Sequence, residues 1–202
     1  MRKRSLSDIA ADGLLYKNPL LIRMLGLSTA VFASTAAKNA LAMGLCALAV
    51  LMLSAVTLSV LRGVITDASR KWCVLFTVCG YTTLVHLFVR AFFHGADAAL
   101  GIYLPLIAVS GLCFTHGSAI ASRVSPVPAL LDALFVGLGY LAAMTVAAVI
   151  RELFGMGSFF GIRIFNGGVA FLATPAGGFI LFGILAAAVT YFSGKRRDSD
   201  EL

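Results

Sequence analysis

Six long apolar runs, separated by short polar segments, dominate the chain. They extend over about residues 19–37, 40–61, 72–93, 98–121, 129–150 and 169–192. A helix that crosses ~30 Å of hydrocarbon needs ~20 apolar residues. The second, third, fifth and sixth runs meet that length well. The pattern predicts an all-α integral membrane protein with six transmembrane helices.

Two of the runs are interrupted by polar or helix-breaking residues. The first contains Arg23 and a cluster of serines and threonines around Ser28, and the fourth contains Pro105, the Ser110–Gly111 pair and His116. A weak run at the first position of each three-helix half is typical of a 3+3 inverted repeat with discontinuous first and fourth helices. Since three spans is an odd number, the two halves would insert with opposite orientations. The alternative is two ordinary helices with small residues at packing faces.

The composition supports a membrane location for almost the whole chain. Of the 202 residues, 60% are hydrophobic and 12% charged, and the mean hydropathy is +0.97, whereas soluble domains are about half apolar and a quarter charged. No stretch is long and polar enough for a second, soluble domain. We therefore predict a cytoplasmic N-terminal segment at 1–17, a transmembrane domain at 18–193 and a cytoplasmic tail at 194–202.

The distribution of lysine and arginine predicts the orientation. With six spans and the N-terminus inside, 11 basic residues lie on the cytoplasmic side, 4 lie outside, and Arg23 lies within the first run. The inner residues are Arg2, Lys3, Arg4, Lys17, Arg62, Arg70, Lys71, Arg123, Lys195, Arg196 and Arg197, and the outer ones are Lys38, Arg90, Arg151 and Arg163. This bias follows the positive-inside rule. It also accounts for the net charge of +7. Because the basic residues are scattered along loop ends, they do not form the basic face that nucleic-acid binding needs.

Ionisable residues in the membrane runs are the first candidates for function, because burying them in lipid is costly. Arg23, Thr115, His116 and Asp132 are candidate polar or ion-path residues. Each ionisable one has a simpler interpretation: Arg23 can extend to the interface, Asp132 can serve the start of the fifth helix, and His116 can be a packed, hydrogen-bonded residue. The pair Arg151–Glu152 is expected to anchor a helix end or to meet a neighbouring subunit.

No pattern of a soluble enzyme is present. The four cysteines lie in apolar runs with no CxxC spacing, so neither a zinc site nor a thioredoxin-like site is predicted. Walker, Rossmann and HExxH patterns are lacking. The chain alone is therefore not expected to catalyse a reaction.

Six short motifs, in order and at matching spacing, resemble the RnfE and NqrD membrane subunits over about residues 16–192. They are Asn18–Ile22 with Leu25–Leu27, Met43–Leu45, Gly101–Ile107, Ala129–Ala133 with Gly137–Gly139, Arg151–Gly155, and Pro175–Ile180. This family belongs to the ion-translocating ferredoxin–NAD oxidoreductase (Rnf) and the sodium-pumping quinone reductase. The resemblance implies a bacterial inner-membrane protein that helps to couple transmembrane electron transfer to sodium or proton movement.

The resemblance also implies partners and a cofactor. The partners are an RnfA- or NqrE-like subunit of opposite topology and further flavin and iron–sulfur subunits. In the family, the two membrane subunits share a two-iron two-sulfur cluster at the midplane, and each supplies one cysteine from each half-helix. The matching positions in this chain are Ser28 and Gly111.

Neither of these two positions has the cysteine thiolate that the family pattern provides for the cluster. A serine oxygen is a hard ligand and glycine has no ligand, whereas thiolates hold iron–sulfur clusters. Cys113 is the candidate substitute ligand, although a shift of two residues turns a helical side chain by about 200°.

Three functional hypotheses follow. The first is an RnfE-like subunit of an ion-translocating complex with an altered or missing cluster. The second is a small-solute or ion transporter with an inverted repeat and no redox role. The third is a structural membrane subunit that has kept only its role in assembly.

Overall fold

The computed structural model describes residues 20–66, 68–118, 123–163 and 168–200, except for the side chains of residues 97, 163 and 192–200. Eight α-helices and one small hairpin are described within these ranges. The helices are α1 (Leu27–Ala33), α2 (Ala37–Val60), α3 (Arg70–Phe92), α4 (His94–Leu100), α5 (Gly111–His116), α6 (Pro126–Arg151), α7 (Ala170–Ala173) and α8 (Pro175–Asp200). A π-helical turn, Glu152–Met156, extends α6, and a hairpin of β1 (Ser158–Phe159) and β2 (Ile162–Arg163) follows it.

The predicted all-α membrane fold is confirmed. Among the described residues, three helical segments are long and apolar enough to cross a bilayer, namely Ala37–Gly63, Arg70–Phe92 and Pro126–Met156, and a shorter apolar segment covers Pro175–Tyr191. They correspond to the second, third, fifth and sixth apolar runs. The predicted domain boundaries stay predictions: residues 1–17 lie outside the described residues, and α8 continues to Asp200.

The first and fourth runs are interrupted, as predicted. In the first run, turns that include Met24 (φ 51°) and Gly26 (φ 73°) precede the seven-residue helix α1. In the fourth run, two 3₁₀ segments, Gly101–Tyr103 and Pro105–Val109, are separated from α5 by the extended residue Ser110. Neither run forms a continuous rod, which excludes the alternative of two ordinary spanning helices.

The sixth run also contains a break, which the sequence analysis missed. It is divided into α7 and α8 at Thr174, whose backbone is extended (ψ 157°). Thr174 precedes Pro175, and the ring of a proline disfavours the α conformation in the residue before it. The last long helix therefore begins at Pro175 rather than near residue 169.

The two halves of the chain are joined most extensively along α2 and α6. A Cβ added to Gly44 would lie 3.1 Å from Leu141 Cγ, and one added to Gly137 would lie 2.3 Å from Leu48 Cδ1. A glycine on each helix thus receives a leucine from the other, which lets the backbones approach closely. Because residue 44 meets 141 and residue 48 meets 137, the helices run antiparallel. This reciprocal packing is what an inverted repeat requires.

The short helices are exchanged between the halves. Helix α1 of the first half packs against α8 of the second, whereas α5 and the Pro105–Val109 segment of the second half pack against α3 of the first. This arrangement again relates the halves by an approximate two-fold axis, centred near the level of Cys46 and Gly139. The bundle has a basic end, where Arg62, Arg70 and Arg123 lie, and an opposite end, where α2 begins and α6 ends.

Candidate functional site: a helix-break junction and two ionisable pairs

The two interrupted runs meet at the level of the α2–α6 crossing. A Cβ on Gly111, the first residue of α5, would lie 3.1 Å from Leu25 Cδ2, just before α1. A Cβ on Gly26 would lie 3.2 Å from Tyr140 Cε2 of α6, and the positive φ of Gly26 also favours glycine there. We call this contact region the junction, defined by Leu25, Gly26, Gly111 and Tyr140.

Tyr140 holds the junction with its hydroxyl group. The buried Tyr140 Oη lies 3.1 Å from Thr29 Oγ1 and donates to the Gly26 carbonyl oxygen at 3.3 Å, and Thr29 Oγ1 donates to the same carbonyl at 2.8 Å. The carbonyl at the start of α1 therefore accepts from the Ala30 N–H and Thr29 of its own helix and also from a spanning helix of the other half. The sequence analysis missed Tyr140; its place in the middle of an otherwise apolar run was the available signal.

The positions that match the family's cluster ligands differ in their surroundings. Ser28 is exposed on α1, and Gly111 is half-buried beside Leu25. Cys113 is fully buried, at 0% exposure, and Ser110 hydrogen-bonds to its thiol. It therefore does not share an exposed face with Ser28. The residues present do not fit half of an iron–sulfur cluster, which needs two thiolates directed to a shared face.

His116 and Asp132, two of the predicted polar residues, form a contact. His116 Nε2 lies 2.9 Å from Asp132 Oδ2, and the side chains are 4% and 25% exposed respectively. Among the described residues no hydrogen-bond partner reaches His116 Nδ1. Asp132 thus faces the end of α5 rather than only supporting the start of its own helix.

The other two predicted polar residues lie apart from this pair. Arg23 is exposed in the turns before α1, and Thr115 is half-buried on α5. Within the described ranges, neither side chain bonds to His116 or Asp132. Their assignment as ion-path residues stays a prediction.

Arg151 is buried at the opposite end of α6, with 1% exposure. Its Nε donates to the Leu172 carbonyl (3.0 Å), and its Nη2 donates to Ala173 (3.2 Å) and Thr174 (3.0 Å). Its Nη1 donates to the Val31 carbonyl and to Ser34 Oγ. All five guanidinium N–H groups are used, and they join the end of α1 to the break before α8. Gly178 leaves room for this group, since a Cβ there would lie 3.0 Å from Arg151 Cζ.

Glu152, which is 2% exposed, bonds to a different set of groups. Its Oε2 accepts from the Ala37 N–H at 2.7 Å, and its Oε1 accepts from the Gly161 N–H at 2.6 Å. The first bond satisfies an N–H at the start of α2, as a capping residue would. The predicted anchoring of a helix end is thus observed, and the anchored elements belong to other parts of the chain. Arg151 holds α1 and the start of α8, and Glu152 holds α2.

An antiparallel inverted repeat with helix breaks at its centre and ionisable pairs on either side defines a membrane protein of the transport or transmembrane-transfer class. The chain belongs to the Rnf-Nqr family: the profile described as "Rnf-Nqr subunit, membrane protein" matches residues 6–186. The resemblance inferred from the motifs is confirmed.

Curated relatives are similar over nearly their whole length. The E component of the Na⁺-translocating ferredoxin:NAD⁺ oxidoreductase complex of Acetobacterium woodii is 32% identical, over 91% of this chain and 95% of the relative. The E component of the proton-translocating complex of Clostridium ljungdahlii is 31% identical, over 94% and 91%. The E component of an ion-translocating oxidoreductase complex of Cellvibrio japonicus is 30% identical, over 91% and 84%.

Proposed function

We propose that this chain is an integral membrane subunit of an ion-translocating oxidoreductase complex, in which transmembrane electron transfer drives sodium or proton movement. The observation that carries the proposal is the junction, where two interrupted helices from opposite halves meet at the centre of an antiparallel repeat. Such breaks, where protein covers the irregular backbone, are the usual place for a functional site in an inverted-repeat membrane protein. The relatives named as E components of such complexes support the same assignment.

Purification of the complex tests this proposal. A C-terminally tagged chain, expressed from its own chromosomal locus and extracted in mild detergent, is expected to co-purify with flavin and iron–sulfur subunits and with NADH-dependent electron transfer. An untagged strain controls for adventitious binding. Recovery of the chain without any redox subunit would contradict the assignment.

A partner of opposite topology, similar to RnfA or NqrE, is part of the proposal. The exposed face of the junction supports it, because Met24, Ser28 and Phe32 on this face are left uncovered by the chain. Disulfide formation between Ser28→Cys and single cysteines on the co-purified partner is expected at the junction. The matched control is a cysteine at Ile184, which is exposed on α8, and it is expected to form none of these links.

We propose a location in the bacterial inner membrane with the basic end and both termini on the cytoplasmic side. Arg62, Arg70, Lys71 and Arg123 support this orientation through the positive-inside rule. Fusing alkaline phosphatase or green fluorescent protein to the C-terminus tests it. Fluorescence without phosphatase activity is expected, and the reverse result would invert the topology.

The absence of suitable thiolates leads us to propose that this chain supplies no ligand to a two-iron two-sulfur cluster. Ser28 and Gly111 offer none, and Cys113 is buried away from the exposed face. Cys113→Ser is therefore expected to leave the iron content and electron paramagnetic resonance spectrum of the purified complex unchanged. Loss of a cluster signal in this variant would identify Cys113 as a ligand after all.

The second candidate function is transport of an ion or small solute without redox chemistry. The lack of thiolates at the junction favours it, because the junction would then serve only as a polar break. Uptake by the isolated chain in liposomes, without any redox subunit, is the expected result on this alternative. A structural role in assembly alone would leave the partner complex fully active after deletion of this chain.

A further inference from the structure

We propose that the His116–Asp132 pair binds one transferable proton, which it takes up from the basic end of the bundle. The proposal rests on the proposed function and deepens it by naming the proton as the ion that this chain handles. The pair would therefore be a proton-binding site below the junction, and not only a packing contact between α5 and α6.

The depth of the pair is the first argument. Asp132 lies seven residues from Gly139, the level of the α2–α6 crossing. At 1.5 Å per residue this is about 10 Å towards the basic end. Half of the hydrocarbon core is ~15 Å, so the carboxylate lies inside the core and near its edge. A proton that reached Asp132 would already have entered the membrane.

The unused bonding capacity of the pair is the second argument. His116 is almost completely buried, and its Nδ1 has no hydrogen-bond partner among the described residues. Asp132, a quarter exposed, connects the imidazole to the surface through the 2.9 Å contact with Nε2. Since Nε2 already contacts Asp132, Nδ1 is the ring nitrogen whose bonding capacity is unused, so both nitrogens can carry a proton while the contact with the carboxylate is kept.

Uptake of a proton changes the net charge of the pair, and this is the third argument. With a neutral imidazole and an ionised carboxylate the pair carries one negative charge, and after uptake of one proton it is neutral overall. A net charge in hydrocarbon is expensive. The proton therefore favours burial of the pair, and its loss favours exposure of Asp132. Helix α5, which carries His116 at one end and Gly111 of the junction at the other, links this change to the junction.

The groups around the pair are compatible with this role. Asp132 is the only carboxylate on α2, α3, α5, α6 and the Pro105–Val109 segment. The cations on these elements and in the connections at their basic end are Arg62, Arg70, Lys71 and Arg123, and the connection between Arg62 and Arg70 also carries Asp67, which lies outside the described residues. The other titratable groups towards that end are the Cys73 and Cys113 thiols. The imidazole can take up a proton on one ring nitrogen while the other keeps its contact with the Asp132 carboxylate.

For a metal cation, the two side chains of the pair supply too few ligands by themselves. Hard cations need several oxygen ligands, whereas within the described residues no group of three histidine, cysteine, aspartate or glutamate side chains could hold a metal ion. One carboxylate and one imidazole nitrogen suffice for a proton but not for a coordination shell.

Nitrogen-15 NMR of histidine-labelled full-length chain in nanodiscs tests the site without any redox partner. His86 and His94 are replaced by Gln to isolate the His116 signal. A change of the His116 signal from the neutral to the doubly protonated imidazole is expected along a pH series. In Asp132→Asn the doubly protonated form is expected to be less populated at each pH, since the imidazolium loses its counter-charge. An imidazole in one form throughout, or populations unchanged by Asp132→Asn, would overturn the proposal.

Proton movement in proteoliposomes that contain the purified complex is the second measurement. His116→Gln and Asp132→Asn are each expected to lower the number of protons moved per electron at least tenfold. His94→Gln, at an exposed position outside the pair, is the control and is expected to keep the ratio. Unchanged proton movement in both variants would overturn the proposal. Absence of electron transfer in the wild type would instead contradict the proposed function, while the NMR result would still decide the proton site.

Discussion

The two ionisable pairs of this membrane domain differ in how completely their hydrogen bonds are satisfied. Arg151 and Glu152 are both almost fully buried, and between them they bond to the ends of α1 and α7, the start of α2 and the hairpin turn. His116 and Asp132 have one contact with each other, and an imidazole nitrogen without a partner among the described residues. We call a pair saturated when its hydrogen-bonding groups all have partners; the first pair is saturated and the second is not.

All four residues are ionisable, and burying each of them in the membrane domain costs free energy. The difference in their hydrogen bonds indicates that the two pairs nevertheless have different roles. A charge whose donors or acceptors are all used can stay buried as part of the fold, because its hydrogen bonds replace its hydration. A pair with unused capacity and a path to the surface can change its protonation state. In this membrane domain, saturation separates structural charges from candidate functional ones better than position in the membrane does.

Removing Arg151 is expected to have the largest effect. Arg151→Ala removes the side-chain donors to the Leu172 and Ala173 carbonyls and one of the donors to the Val31 and Thr174 carbonyls. The loss of these buried bonds is expected to cost about 3–5 kcal/mol in the free energy of unfolding. Titration with sodium dodecyl sulfate in mixed micelles measures this value. Arg151→Lys keeps the charge but loses the fork geometry, so an intermediate loss is expected. A cost below ~1 kcal/mol for the alanine variant would remove the contrast between the pairs.

The conservative change Glu152→Gln is expected to cost about 2 kcal/mol. The amide keeps one oxygen acceptor but brings an NH₂ group against either the Ala37 or the Gly161 N–H. Hydrogen exchange should also show faster exchange at the start of α2. If the amide is tolerated without loss, the carboxylate is not what fixes α2.

Tyr140→Phe at the junction is expected to cost about 1 kcal/mol, the usual net value of a buried hydrogen bond. The ring is kept, and the bonds to Thr29 and Gly26 are lost. The same titration in mixed micelles measures the change. Tyr103→Phe, which keeps the ring that stacks on Phe32 with centroids 4.2 Å apart, controls for the general effect of removing a hydroxyl group. Equal effects of the two substitutions would mean that Tyr140 does not hold the break.

Asp132→Asn makes the same chemical change as Glu152→Gln and is expected to have the smallest effect on stability. The partly exposed amide can still bond to His116, so the expected cost is about 0.5 kcal/mol. Comparing the two variants in the same micelles tests saturation directly. A loss at Asp132 as large as that at Glu152 would show that both pairs are structural.

The elements that the sequence predicted are those that follow from local composition. The long apolar runs around α2, α3 and α6 predict spans because their length matches the bilayer, and Pro105 and Ser110–Gly111 mark a break because they interrupt helical hydrogen bonding. Pro175 also marks the break at Thr174, but the sequence analysis treated the apolar run around it as one continuous helix. The bounds of α2 and α6 extend three residues before the predicted starts at Ala40 and Ala129.

The sequence analysis named His116 and Asp132 as separate candidates and did not predict the contact between them. His116 and Asp132 are 16 positions apart, and their contact depends on where α5 ends against α6. Tyr140 stands out as a hydroxyl group in an apolar run, but its partner Thr29 is 111 positions away, so the sequence does not say to which helix it bonds. The surroundings of Cys113 follow from the packing of α5, since the same helix in isolation would expose any of its faces.

The sequence alone determined that the chain is a helical membrane protein with two interrupted spans and a basic end, because hydrophobic length, helix-breaking residues and charge bias are local properties. Only the tertiary structure decided which charges are saturated and which are not. Whether the hydrogen bonds of a charged group are all used depends on contacts between distant segments. The packing of α1, α5 and α6 therefore decides that Arg151 has a structural role and that His116 is a candidate proton site.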